Sequence, residues 1–253
     1  MLNTIKDVFI DNGFITSFLV VGVTMWLAYF LSNKLTKGKI HGSAIAIILG
    51  LILAYIGGVA TSGTKGLSDI SLFAGLGFLG GSMLRDFAIV ATSFGANFDE
   101  IKKAGIRGVS SLFIGVILSF VVGAIFAVIF GYKDAVSIAT IGAGAATYIV
   151  GPVTGAALGA SSEVIAISVA AGLVKSVLVM VGTPLVARFI GLNNPMTAMV
   201  YGGLMGTTSG VAGGLAATDP KLVPYGAVTA TFYTGLGCLL APTVLFLITD
   251  MIF

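Results

Sequence analysis

Apolar residues run through this chain in long unbroken blocks, and charged residues mark where one block ends and the next begins. The blocks are 14–31, 42–60, 70–84, 87–98, 108–132, 135–162, 164–187, 196–218 and 222–249. Most approach the roughly 20 residues that a helix needs to cross a bilayer. None alternates apolar and polar positions, which excludes membrane-spanning strands. Backbone buried in lipid must bond to itself, and continuous apolar runs achieve this as helices. The pattern predicts an all-α, polytopic integral membrane protein. Counting the two short blocks around Arg85-Asp86 as one, it has about eight hydrophobic segments, some of them discontinuous or re-entrant.

Composition strengthens this reading. The 253 residues include 13 Lys+Arg and 10 Asp+Glu, so 9% are charged, against about 25% in a soluble domain. Apolar residues make up 57%, and the mean hydropathy is +1.09. Such a chain cannot cover a water-facing surface. A soluble enzyme, a nucleic-acid binder and a disordered tail are excluded, and the partner is a lipid bilayer. The single cysteine, Cys238, allows no internal disulfide and sits in an apolar run as an inert thiol. The N-terminus does not read as a cleavable signal peptide, because the first apolar run is long and no small-residue cleavage site follows it.

The net charge of +3 sits in loops and sets orientation. Lys34, Lys37 and Lys39 fall in loop 32–41, and Lys102, Lys103 and Arg107 in loop 95–107. Both loops are expected in the cytoplasm, with the N-terminus outside. His41, the only histidine, follows the lysine loop and reads as interfacial. The chain reads as one membrane domain, 1–253. Leu-Gly-Gly-Ser at 79–82, followed by Ala91-Thr92, resembles Met-Gly-Thr-Thr at 205–208, followed by Ala217-Thr218. A repeat on that register divides the chain into halves 1–130 and 131–253, and inverted repeats are common in secondary transporters.

Glycine is in excess, with 36 residues, although it is a poor helix former. Two ladders stand out: Gly151, Gly155 and Gly159, and Gly202, Gly206, Gly210 and Gly214. Four-residue spacing keeps each ladder near one helix face. Close helix packing is one explanation. Helix breaks are the other. Gly151-Pro152 interrupts the run 135–162, so a helix is expected to stop near residue 150 and restart with Pro152. Gly206-Thr207-Thr208-Ser209 interrupts the run 196–218. Both breaks fall near the middle of their segments. Broken backbone at that depth is tolerated where it lines a polar cavity. Half-helix N-termini attract anionic groups, and carbonyls and hydroxyls suit sodium.

The candidate substrate residues are therefore Thr147, Tyr148, Gly151, Pro152 and Thr154 at the first break, and Gly206, Thr207, Thr208 and Ser209 at the second. Thr229, Thr231 and Thr234, with Tyr233 beside them, offer oxygens from the last segment, the three threonines as sodium ligands. Each hydroxyl has an ordinary alternative, a bond back to its own helix.

Lys175 lies at the centre of 164–187, roughly 17 Å from either end, too far to snorkel. It reads as a counter-charge for an anionic substrate, as a cation mimic, or as half of a structural ion pair. Ser168, Gly172 and Gly182 share its face approximately. Arg85, paired in sequence with Asp86, reads as a substrate ligand or as a structural turn. Asp219-Pro220 reads as a helix cap, with sodium ligation as the alternative. Glu163 after Ser161-Ser162 marks a helix start. No metal-binding cluster, P-loop or nucleophile–base pair is present in the sequence, so neither an enzyme nor an organic cofactor is expected.

Four stretches carry a family resemblance: Lys-Ile-His-Gly-Ser-Ala-Ile-Ala-Ile at 39–47, Gly-Ser-Met-Leu-Arg-Asp-Phe-Ala-Ile-Val-Ala-Thr at 81–92, Thr-Ile-Gly-Ala-Gly-Ala-Ala-Thr-Tyr-Ile-Val-Gly-Pro-Val-Thr-Gly-Ala at 140–156, and Ala-Ala-Thr-Asp-Pro-Lys-Leu-Val-Pro-Tyr-Gly-Ala at 216–227. Over nearly its whole length the chain resembles the large (M) subunit of bacterial malonate:sodium symporters. That resemblance implies malonate import coupled to sodium in the bacterial inner membrane. It also implies a smaller L subunit as partner. A sodium-independent carboxylate channel or uniporter, and a membrane subunit of a sodium-translocating decarboxylase, are the competing classes.

Overall fold

A computed structural model of the chain describes residues 2–37, 42–62, 66–79 and 98–253. It is 84% helical, and no strand occurs among the described residues. The expected all-α membrane architecture is what is found. Among the described residues, four helices are long and apolar enough to cross a membrane: Gly13–Thr36, Gly105–Ile129, Glu163–Val186 and Pro220–Asp250. Large apolar side chains lie bare on their outer faces, among them Trp26 (68% exposed) and Leu178 (66%). Apolar area on that scale is a lipid-facing surface rather than a water-facing one.

Chain contacts divide the protein into Met1–Val90 and Ala91–Phe253. In the first unit, α1 (Leu2–Asp11) leads into α2 (Gly13–Thr36), then α3 (Gly42–Thr61). Thr16 Oγ1 donates to the Phe9 carbonyl at 2.7 Å and fastens α1 to α2. The Tyr29 ring lies on Gly42, so α2 and α3 approach closely there. His41, Lys39, Arg85 and Asp86 lie outside the described residues, as do residues 80–92 of the suggested 126-residue repeat.

Among the described residues the second unit opens on α4 (Phe98–Ile129), which changes direction at Gly105 (φ +45°, ψ −135°). It continues through α5 (Ala135–Ala146), α6 (Val150–Leu158), α7 (Ser162–Val186), α8 (Pro195–Met205), α9 (Thr208–Ala216) and α10 (Val223–Leu240). A π-type turn at Ala241–Leu245, where Pro242 lacks a backbone donor, joins α10 to α11 (Phe246–Asp250).

The short helices do not continue one another across the bilayer. Gly151 of α6 packs on Gly144 of α5, and Gly155 packs on Thr140. As the chain advances along α6 it retreats along α5, so the pair is a re-entrant hairpin. Hairpin α8–α9 also reverses. Gly202 and Gly206 of α8 meet Gly226 and Tyr233 of α10 in increasing order. Gly210 and Gly214 of α9 meet Ser176 and Thr183 of α7, likewise in increasing order. Along α10, Gly226 meets Leu215 of α9 whereas Tyr233 lies at Gly206, so α9 runs against α10 and therefore against α8.

Elements α5–α7 and α8–α10 follow one plan used twice, sixty residues apart. Gly131 (φ +96°) and Gly191 (φ +64°) turn the chain before each hairpin. The amide of Tyr132 donates to the Ala127 carbonyl (3.1 Å), and that of Leu192 to the Ala187 carbonyl (2.9 Å). Asp134 caps α5 by accepting from the Ser137 amide (2.8 Å), and Asn194 caps α8 by accepting from that of Thr197 (3.1 Å). Each hairpin is followed by one spanning helix, an odd number of crossings, so the second copy is inverted relative to the first. The hairpins enter from opposite ends of the unit and their tips meet near its centre. Within the described residues, the repeat thus has an offset of sixty.

Packing holds each hairpin between spanning helices. Val116 and Phe120 of α4, Ala143 of α5, Val150 of α6 and Tyr233 of α10 form one buried core around the first hairpin. Val179 of α7, Ala198 and Tyr201 of α8, Val211 of α9 and Ala230 of α10 form another around the second.

Candidate functional site

The first hairpin tip is Thr147-Tyr148-Ile149. Thr147 is extended (φ −153°, ψ 155°), and its Oγ1 accepts from the amides of Ile149 and Val150, each at 3.2 Å. The break therefore lies at 147–149, earlier than the stop near 150 expected from Gly151-Pro152. Pro152 does not start the second helix but is its third residue. It fits there because first-turn amides have no acceptor within their own helix. Thr147, a good N-cap residue, is the signal that marks the break.

The second tip falls where expected. Gly206 ends α8 with φ +70°, and its amide donates to the Gly202 carbonyl. A side chain is disfavoured there both by the left-handed backbone and by the Tyr233 ring lying against the Cα. Thr207 caps α9, its Oγ1 accepting from the Gly210 amide at 3.4 Å. Thr147 and Thr207 thus perform the same task in the two repeats.

Both tips are held by neighbouring residues of α7. Lys175, the fourteenth of its 25 residues, donates from Nζ to the Ala146 carbonyl (2.8 Å), to Ser119 Oγ of α4 (2.8 Å) and to Tyr233 Oη of α10 (3.2 Å). Ser176 shares a hydroxyl–hydroxyl hydrogen bond with Thr207. Tyr233 is fully buried. Its hydroxyl donates to the Gly115 carbonyl at 3.1 Å, and its ring faces Gly206. One tyrosine therefore touches the Lys175 cluster at one end and the second tip at the other.

The electrostatics are consistent with this arrangement. Ala146 is the last residue of α5, where the helix dipole presents partial negative charge to the ammonium. Bonds from a charged donor contribute about 1.5–3 kcal/mol each. Three of them offset the about 2.5–3.5 kcal/mol cost of a lysine at the centre of a membrane helix. The Tyr233 ring, 5.0 Å from Nζ, adds a cation–π contact. All three partners of Lys175 are neutral, so this is not the structural ion pair that was one reading of the sequence.

The remaining candidates are placed as follows. Tyr148 is half-buried, and its backbone packs on Gly172 of α7. Gly151 is buried against Ser168. Thr154 is wholly buried, and its Oγ1 has no hydrogen-bond partner. Thr208 and Ser209 are half-buried at the start of α9. Thr229 Oγ1 donates to the Tyr225 carbonyl at 3.0 Å, beside Gly202. Thr231 and Thr234 donate back to Ala227 (2.8 Å) and Ala230 (3.1 Å). Asp219 caps the turn Pro220–Leu222 by accepting from the Lys221 amide at 3.0 Å. It stands beyond the far end of α9, about 13 Å of helix from the tip, and is not gathered with the others. Arg85 lies outside the described residues. Most ladder glycines serve close packing, while Gly159 ends α6 with φ +73°.

Ser119 and Ser176 were not legible as site residues. A lone serine in an apolar run usually bonds back to its own helix, and nothing local marks these two as exceptions. The nearest signal is that Ser176 adjoins Lys175.

The arrangement can hold a small anion between two half-helix N-termini and a fixed cation, and can offer carbonyl and hydroxyl oxygens to a hard monovalent ion. Comparison with known proteins bears on which ions these are. The family model described as malonate/sodium symporter MadM subunit matches residues 5–253. No curated protein and no solved structure matches the chain.

Proposed function

The chain belongs to the malonate/sodium symporter MadM subunit family, and from that premise we propose that it carries malonate with sodium through one site where the two hairpin tips meet α7. The observation that carries this reading is the adjacency of Lys175 and Ser176, each fastened to a different tip. Malonate is a small dianion with both carboxylates on one carbon. The N-termini of α6 and α9 point their partial positive charge at the space between the tips. Tyr148, Thr208 and Ser209 supply hydroxyls there, and Lys175 supplies a full positive charge. Sodium binds among the carbonyls and hydroxyls of the same tips, with Thr229 in reach of α8, and offsets the remaining negative charge.

Alternating access then follows from the inverted repeat. Each hairpin opens toward the end of the unit from which it enters. Arg107, Arg188 and Lys221 are exposed at the end where α8 and α9 enter. By the positive-inside rule that end is cytoplasmic, with Lys133 and Glu163 on the opposite face. The same rule puts Lys34 and Lys37 inside and the N-terminus outside, in a bacterial inner membrane. A smaller L subunit completes the transporter.

The test is uptake of labelled malonate into proteoliposomes, with and without a sodium gradient, with this chain alone and with its partner. Uptake that needs the gradient supports symport. Equal uptake without sodium favours a channel or uniporter. Flux only with added decarboxylase subunits favours a decarboxylase membrane subunit.

A further inference from the structure

An ammonium has three N–H donors and no more. In Lys175 all three are engaged, by Ser119 Oγ, the Ala146 carbonyl and Tyr233 Oη. The charge is thus fully coordinated by the protein and has no donor left for a substrate carboxylate in this conformation. The three ligands are all oxygens, one of them a backbone carbonyl at the C-terminal end of a half-helix. Unwound carbonyls and half-helix C-termini of this kind hold coupling cations in discontinuous-helix transporters. Tyr233 Oη is itself held by the Gly115 carbonyl, which turns its lone pairs toward Nζ. The Ser119 hydroxyl reaches in from α4 in the same way. The cluster is therefore built as a cation cage, and a side chain of the protein fills it.

We propose that Ser119 Oγ, the Ala146 carbonyl and Tyr233 Oη form a monovalent-cation site, and that Lys175 occupies it as a tethered substitute for one sodium ion. This rests on the sodium-coupled reading above and adds a charge rule to it. The ammonium neutralises part of the malonate charge through space and never leaves the protein, so the transporter moves one sodium fewer per malonate than an unfilled cage would require. Removing the tether opens the cage to a free sodium ion, and Lys175→Ala leaves room for the ion with a water.

The experiment compares wild type, Lys175→Ala and Lys175→Arg in proteoliposomes, reading the sodium:malonate coupling ratio from the reversal potential. Lys175→Ala is expected to couple one more sodium per malonate than wild type, and Lys175→Arg to keep the wild-type ratio. An unchanged ratio in Lys175→Ala overturns the proposal. If Lys175→Ala does not transport, equilibrium binding of labelled sodium to the purified proteins decides. One additional sodium bound by the variant supports the cage, and equal binding overturns it. Sodium-independent uptake by wild type would sink the symport reading instead, and the binding comparison still judges the cage separately.

Discussion

Lys175 and Ser176 are consecutive in α7, yet they fasten opposite halves of an inverted repeat. Lys175 bonds the end of the first hairpin's inbound helix at Ala146, and Ser176 bonds the tip of the second at Thr207. On a helix, adjacent residues point about 100° apart. One helical turn can therefore serve two hairpins that reach it from different sides. Separating either tip from α7 breaks one of these contacts.

Gly206 is the residue at which the second tip is most sharply constrained. Its φ of +70° disfavours a side chain, and Tyr233 fills the space that one would need. Gly206→Leu is expected to abolish malonate uptake while the protein remains in the membrane, checked by quantifying both in the same cells. Gly151→Leu is expected to do the same, because Gly151 lies against Ser168 and Gly144. Normal transport in both variants would remove the tips from the site.

Tyr233→Phe keeps the ring on Gly206 but removes the hydroxyl shared by Lys175 and Gly115. Leaving the Lys175 donor and the buried Gly115 acceptor short of a partner costs about 1–3 kcal/mol. The expected outcome is a lower melting temperature of the purified protein. A wild-type melting temperature would show that the hydroxyl is dispensable.

The Ser176–Thr207 contact is open to a double-mutant cycle with Ser176→Ala and Thr207→Val. Residues in one hydrogen-bond network couple by about 0.5–3 kcal/mol. Thermal stability of the two singles and the double should be non-additive within that range. Strict additivity would mean that the two hydroxyls do not interact.

Asp134 lies in the loop before α5, outside the spanning segments. The Ser137 amide holds its carboxyl below the ordinary value of 3.8. A group whose value is lowered on folding stabilises above its unfolded value, and that stabilisation is lost as pH falls through the folded one. Stability should therefore fall on acidification below about pH 4 in wild type and less so in Asp134→Asn, read from melting curves. At neutral pH Asp134→Ala should cost about 1 kcal/mol as a lost cap.

The scarcity of charge made the membrane helices legible, since runs such as 108–132 and 164–187 have little else to become. Reversal of the hairpins was not legible. Runs 135–162 and 196–218 are long enough to cross, and the direction after each break is decided by distant contacts such as Gly155 with Thr140. The second break was readable because Gly206, Thr207 and Thr208 all disfavour helix. The first was displaced by Gly151-Pro152, a pair that a first helical turn accepts without loss. Lys175 stood out because a central charge needs an explanation, whereas Ser119 and Ser176 acquire meaning only once α4 and the second hairpin pack against α7.

If malonate and sodium meet at the hairpin tips, their binding protects a residue placed there. Cys238 is the only cysteine, so Ser209→Cys in a Cys238→Ala background carries a single thiol at the second tip. Its rate of reaction with a small water-soluble thiol reagent should be slowed by malonate and sodium together, more than by either alone. A transport-competent variant whose reaction rate is the same with and without saturating malonate and sodium would contradict that placement.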